Sequence, residues 1–293
     1  VKRDETVATA AQIACQLEVS ADKPGNVSFG KPFSDVAAEQ FLVSSAAVGH
    51  VFARVSALGV GELVLESVRE TRRLVGCNTN LGILLLLAPL GRAAARGRYR
   101  DIRDILKEEL DSLTSEDAGN VYEAIRIASP GGLGDASRYD VNASRAPGSL
   151  MEAMRESSER DIVARQYVTC FDAVFEMGLP AFDSSVDRGM SSRDAVTQTF
   201  LTLLSLFPDT LIARKRCIAD AEDVSARAGA AVAAGGAATA QGRSLILDLD
   251  TLLRDEANSL NPGATADITV VVLFLVVLRA MEKQQLPELL ARW

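Results

Sequence analysis

The chain has 293 residues, 48 % hydrophobic and 24 % charged, which is enough apolar material for a sizeable core and excludes a disordered polymer. Its formal net charge of −8 argues against nucleic acid as a partner, because duplex affinity comes from neutralising phosphates. A local basic site for a small phosphorylated ligand remains compatible with that balance.

The first helical stretch places Val7, Ala10, Ala11, Ala14 and Leu17 on one face and should stop before Lys23-Pro24-Gly25. A second helix is expected after Ser34, through Phe41, Ala47 and Phe52, and a third over 62–74. Another starts near Asn78, carries Ile83 to Leu87 and then meets Pro89. Thr114-x-x-Asp117, Ser149-x-x-Glu152 and Ser191-x-x-Asp194 are capping boxes, in which a hydroxyl accepts a backbone N–H and the acid reaches back. The second box should open a long helix reaching about Met177, and the third a helix ending before Pro208. The charged run 92–111 reads as a solvated helix face. Pro262 suits the first position of a helix over 262–281. Apolar on every face, that helix belongs at the centre of a bundle. Two stretches look irregular: 129–149, and the Ala/Gly-rich 229–242, read as a helix end plus a mobile surface link. Strand signals are thin and no repeat is evident. The expected fold is all-α, one compact multi-helix domain over 1–293.

Cys15, Cys77, Cys170 and Cys217 are scattered, with no Cys-x-x-Cys pair and hence no zinc ribbon. Such spacing suits a reducing compartment and a cytoplasmic location. The first residues, Val1-Lys2-Arg3-Asp4-Glu5, show no signal-peptide core. The apolar run 268–278 falls short of the ~20 residues that span a bilayer, so no membrane partner is expected. His50, the one histidine, is expected to be a packed structural residue. Neither a Gly-x-Ser-x-Gly elbow nor a P-loop is present.

Four polar clusters fall at predicted helix ends: Glu18 with Lys23-Pro24-Gly25-Asn26; Gly76-Cys77-Asn78-Thr79-Asn80-Leu81-Gly82; Asp209-Thr210 with Arg214-Lys215; and Asn261-Pro262-Gly263-Ala264-Thr265-Ala266-Asp267. Helix N-termini present unpaired N–H groups and the positive end of the dipole, so they bind phosphate. Lys23, Arg214 and Lys215 would add charge-assisted contacts. Glu18, Asp209 and Asp267 are the candidate catalytic acids and could hold magnesium, a hard cation that takes a few carboxylates plus phosphate oxygens. For any single cluster ordinary capping explains the same residues. Four clusters in one chain, two of them in very apolar surroundings, favour a site, since an acid beside apolar surface is costly unless paired or bound.

Taken in order and spacing, the clusters resemble the triphosphoribosyl-dephospho-CoA synthase family from about Ala11 to Leu278. Members carry an acid before Lys-Pro-Gly, a Gly-Val-Asn-Thr-His-Lys-Gly-like segment, an Asp-Thr followed by Arg, and Asn-x-Ser-Pro-Gly-Gly-Ser-Ala-Asp. The resemblance implies an all-helical transferase joining the ribose of ATP to a hydroxyl of dephospho-CoA and releasing adenine, with magnesium and basic side chains handling the triphosphate. It implies substrate contacts at Lys23, Gly25, Asn26, Asn78, Thr79, Asn80, Thr210, Arg214, Lys215, Asn261, Gly263 and Thr265. The chain departs from the pattern at Asn80-Leu81, where the family has His-Lys, and at Asn26 to Pro32, where the family's His-x-Asp-Met is missing. The single Pro208-Asp209 replaces paired acids. These departures resemble a divergent branch found with one-carbon metabolism of the methanopterin or methanofuran type. The leading expectation is a family transferase acting on ATP or another phosphorylated small molecule. A biosynthetic enzyme for a one-carbon carrier and a non-catalytic helical assembly protein are the alternatives, and a homo-oligomer is left open.

Overall fold

The computed structural model describes residues 3–33, 36–131, 139–141, 148–255 and 257–293, and among them the chain is all-α with no strand. Eight helices lead to the middle of the chain: α1 (Arg3–Ser20), α2 (Ala38–Phe52), α3 (Val60–Val75), α4 (Leu81–Arg96), α5 (Ile102–Asp111), α6 (Ser115–Ala128), α7 (Leu150–Ser157) and α8 (Ile162–Val168). After a π-helical turn at Ala173–Gly178 come α9 (Leu179–Asp187), α10 (Ser192–Leu206), α11 (Thr210–Lys215), α12 (Ile218–Ala233), α13 (Ala240–Leu253), α14 (Gly263–Glu282) and α15 (Leu286–Ala291).

The β-branched run in α14 is buried on all sides from Val270 to Leu278 and packs on α1, α4 and α10. By length and composition α14 could cross a bilayer, more so than the short run 268–278 suggests, but most of its surface is covered by neighbouring helices. A second apolar cluster, around Phe200, Leu204, Ile212, Val224 and Leu253, joins α10 to α13. It sits beside the ends of α11 and α13, where two of the polar clusters lie.

Several local expectations are corrected. Pro89 does not end its helix, which runs on to Arg96. A proline cannot donate to the carbonyl four residues back. That carbonyl belongs to Leu85, and the buried Tyr167 hydroxyl donates to it instead at 2.6 Å. The long helix expected over 150–177 is three pieces. Asp161 caps α8 through the N–H groups of Val163 and Ala164, and Cys170 and Phe171 adopt left-handed backbone. The stretch 229–242 is no mobile link: α12 and α13 meet at a tight turn through Gly235 and Gly236, and buried Gln198 accepts the Ala237 N–H at 3.0 Å. Pro262 precedes α14 as its cap rather than occupying its first position. His50 is exposed at the end of α2, not packed. Within 92–111 the surface is mostly solvated, yet Glu109 is buried, held by Arg92 at 2.8 Å and Arg96 at 2.7 Å. The second helix begins at Ala38; Ser34, its expected start, and most of the irregular stretch 129–149 lie outside the described residues. The Thr114 box forms in both directions, Asp117 N–H to the hydroxyl at 3.2 Å and Thr114 N–H to the carboxylate at 2.9 Å.

Candidate active site

The apolar face of α1 carries Glu18 inward at its last turn, and the chain then folds back so that Lys23 meets it. Lys23 is only 1 % exposed. Its ammonium pairs with Glu18 Oε1 at 3.2 Å and donates to the carbonyls of Glu18 and Ala21. Its three donors are therefore engaged inside the protein. Burial pushes the Glu18 carboxyl up, and Lys23 pulls it partly back.

Asp209 caps α11, accepting the N–H groups of Leu211 (2.9 Å) and Ile212 (3.2 Å) on Oδ1. Its Oδ2 accepts the backbone N–H and the hydroxyl of Thr265, both at 2.8 Å. Asp209 thus bolts the start of α11 to the start of α14. Burial raises its carboxyl despite these four donors. Thr210 accepts the Ile162 N–H at 3.3 Å, and Arg214 pairs with Asp161 at 2.5 Å, so α8 joins the same corner.

Asp267 lies one turn into α14 and differs from both. It is partly exposed and has no hydrogen bond or ion pair among the described residues. Burial, then the negative charges of Asp209, Glu18 and Asp161, push its carboxyl well above the usual range, with Arg214 opposing weakly. Cys15, one turn before Glu18, is kept a thiol first by its burial and then by the negative charges of Glu18 and Asp267. The Asp267 carboxylate rests against the first turn of α4: a Cβ on Gly82 would lie 2.0 Å from its Oδ2. Glycine at 82 is what lets that helix start approach the acid.

The turn 23–26 closes the site from another side. Gly25 has φ +69°, and a Cβ there would meet Leu253 Cβ at 2.6 Å and Pro262 Cδ at 3.0 Å, so both conformation and space require glycine. Asn261 donates to the Gly25 carbonyl (3.1 Å) and to Asn26 Oδ1 (3.0 Å). A Cβ on Gly263 would meet Asn261 Oδ1 at 2.8 Å. Lys215 donates to the Asn258 carbonyl at 2.9 Å, in the link that precedes Asn261.

The fourth cluster joins through α4. Asn78 Oδ1 accepts the N–H groups of Asn80 (3.3 Å) and Leu81 (3.1 Å), which is the capping role. Buried Asn80 donates to Thr71 at 3.1 Å, and Thr79 holds a buried hydroxyl without a partner. No hydrogen bond or ion pair among the described residues ties these three side chains to the acids; the link is the first turn of α4 at Gly82.

No group of three or more acids, histidines or cysteines among the described residues forms a metal-sized cluster. Asp209 has both oxygens occupied. An oxygen-donor site for magnesium would rest on Asp267, with Glu18 as the neighbouring acid, the remaining positions falling to phosphate oxygens and water, as that ion prefers. The surplus negative charge around the unpartnered Asp267 fits a cation. Sequence reasoning missed Asp161, Asp250 and Arg254. Asp161 carried a cap signal hidden by the reading of one long helix, whereas nothing local marked Asp250 as a partner of Gly25.

The three carboxylates sit at helix ends in an all-α bundle, and the described residues hold no strand from which a P-loop or dinucleotide-binding turn could spring. The chain belongs to the ATP:dephospho-CoA triphosphoribosyl transferase family, whose profile it matches over residues 4–285. It is 28 % identical over 132 residues to the 2-(5''-triphosphoribosyl)-3'-dephosphocoenzyme-A synthase of Klebsiella pneumoniae, covering 44 % of this chain and 46 % of that one. A provisionally assigned synthase of the same name from Pseudomonas aeruginosa is 30 % identical over 106 residues, 36 % of each chain. The matched segment thus spans less than half the length of these curated relatives. The crystal structure of a provisionally assigned triphosphoribosyl-dephospho-CoA synthase from Archaeoglobus fulgidus superposes with a TM-score of 0.60 at 27 % identity, covering 80 % of this chain and 96 % of that one.

Proposed function

We propose that this chain binds ATP, or a closely related phosphorylated substrate, with magnesium at the corner where the starts of α4, α11 and α14 meet, and transfers its triphosphoribosyl group to an acceptor hydroxyl. In that reaction the acceptor oxygen attacks the ribose carbon that bears the base, the glycosidic bond breaks, and adenine leaves with a proton. Bound magnesium would neutralise part of the triphosphate charge. The protein's own contribution lies in three acids with separate duties. Glu18 is neutralised by Lys23 and shapes the floor. Asp209 is saturated by four donors and fixes the two helix starts. Of the three, Asp267 alone has neither oxygen in a hydrogen bond or ion pair among the described residues, which leaves its carboxylate to hold the magnesium ion. That unpartnered carboxylate is the observation that carries the reading. Family membership supports a transferase over a non-catalytic assembly role, and no feature of the fold or of the relatives favours a one-carbon carrier as product.

The acceptor is the part most affected by the departures at Asn80, Leu81 and 26–32. Leu81 cannot donate to a phosphate, and a lost charge-assisted hydrogen bond typically costs about 1.5–3 kcal/mol. We therefore expect dephospho-CoA to be a poor acceptor. Incubation with ATP, magnesium and dephospho-CoA, with adenine followed by chromatography, tests this. Slow adenine release that vanishes in Asp267→Asn is expected. Rapid stoichiometric release, abolished in Asp209→Asn, would show that dephospho-CoA is a native acceptor.

A further inference from the structure

The turn Lys23-Pro24-Gly25-Asn26 is held from behind by a charged clamp on α13. Asp250 is only 6 % exposed. Its Oδ1 accepts the Gly25 N–H at 2.8 Å and the Arg254 Nε–H at 3.0 Å, and its Oδ2 accepts from Lys31 at 3.2 Å. Arg254 then reaches over the turn, donating to the Asn26 carbonyl at 2.7 Å and the Lys31 carbonyl at 3.4 Å. Its guanidinium also lies over the Phe33 ring, 5.9 Å from the centroid. Lys31 belongs to a second tight turn, closed by paired backbone bonds with Ser28 at 3.0 and 3.5 Å. Burial alone would push the Asp250 carboxyl up, but Arg254, the Gly25 N–H and Lys31 outweigh it and hold it below the usual carboxylate range. One carboxylate and one guanidinium thereby hold the Gly25 N–H and the carbonyls of Asn26 and Lys31.

We infer that Asp250 and Arg254 are positioning residues of the site: they lock Gly25 and Asn26 in the shape that receives the ligand. Neither touches the acids. The inference rests on the reading of this corner as a site for a phosphorylated ligand. An interior carboxylate with three donors is a rigid anchor, because moving any one donor leaves a buried charge short of a partner. A left-handed glycine between Leu253 and Pro262 has no other device on its N–H to keep it there. Pre-forming a loop removes the ordering cost from binding, so loosening it weakens affinity without touching a ligand contact.

The experiment pairs hydrogen exchange of the full chain with titration of ATP plus magnesium, in wild type, Asp250→Ala and Asp250→Asn. Asn keeps an acceptor for the Gly25 N–H and loses the charge; Ala loses both. Amides of 25–31 should exchange at least about tenfold faster in Asp250→Ala, and affinity for ATP–magnesium should fall by about tenfold, the scale of one buried hydrogen bond to a charged group. Asp250→Asn should recover the protection of 25–31 and the affinity together and in part; recovery of one without the other overturns the inference. A variant that fails to fold is replaced by Arg254→Lys, for which a smaller loss in the same two readouts is expected. Unchanged exchange at 25–31, or unchanged affinity beside a loosened turn, overturns the inference alone. No binding of ATP–magnesium by the wild type overturns the reading of the corner as a ligand site, and the inference with it.

Discussion

Asp267 is a carboxylate that the fold stabilises poorly. Its folded-state affinity for a proton exceeds that of the unfolded chain, so the native protein binds more protons between the two values, and this residue makes stability fall as pH rises from about the ordinary aspartate range near 4. Removing the charge should therefore stabilise. Asp267→Asn is expected to raise the melting temperature at pH 7, by about 2–4 °C for each kcal/mol regained, with the gain shrinking toward pH 4, while ligand affinity falls. Calorimetry across that pH range checks it; a variant less stable than wild type at pH 7 would mean that Asp267 has a structural partner. At this scale the sequence marked three acids but not what separates them. Glu18, Asp209 and Asp267 look alike in their local context. Only the tertiary partners, Lys23 from the next turn and Thr265 from another helix, distinguish a neutralised acid and a saturated one from a free one.

Helix α4 shows why element ends were legible and interiors less so. Its start was readable because the Asn78 side chain accepts the N–H of Leu81, the first helical residue, three positions on, a local relation. Its continuation through Pro89 was not, since the missing donor is supplied by Tyr167, which lies 82 positions from Leu85 in the sequence. Replacing Tyr167 by Phe keeps the ring in the core and leaves the Leu85 carbonyl buried without a donor. Tyr167→Phe is expected to cost about 1–3 kcal/mol, read as a lower melting temperature with little change in ligand affinity. A neutral effect on stability would show that α4 tolerates Pro89 without this bond. The same logic accounts for the broken helix over 150–178: its hydrophobic period continues across Asp161 and across the left-handed pair Cys170-Phe171, so periodicity alone reads one helix where the chain makes three segments.

Across the whole molecule, composition and period were sufficient for the architecture. An all-round apolar helix has one place in a globular protein, and α14 occupies it, bringing Thr265 and Asp267 from its first turns to Asp209 and to the start of α4. Motif order singled out Glu18, Asp209 and Asp267; the clamp on the 23–26 turn had no such signal, because it joins residues 225 positions apart and neither end has a recognisable pattern. The central claim is that this corner, with Asp267 at its open face, holds a phosphorylated nucleotide together with magnesium. Isothermal titration of the full chain with ATP tests it most directly, run with magnesium, with magnesium chelated, and in Asp267→Asn. The account predicts binding by the wild type that weakens at least about tenfold on chelation and by a similar factor in the variant, the scale of a lost charged contact. Affinity that is equal in all three titrations, or no binding in any of them, would contradict it.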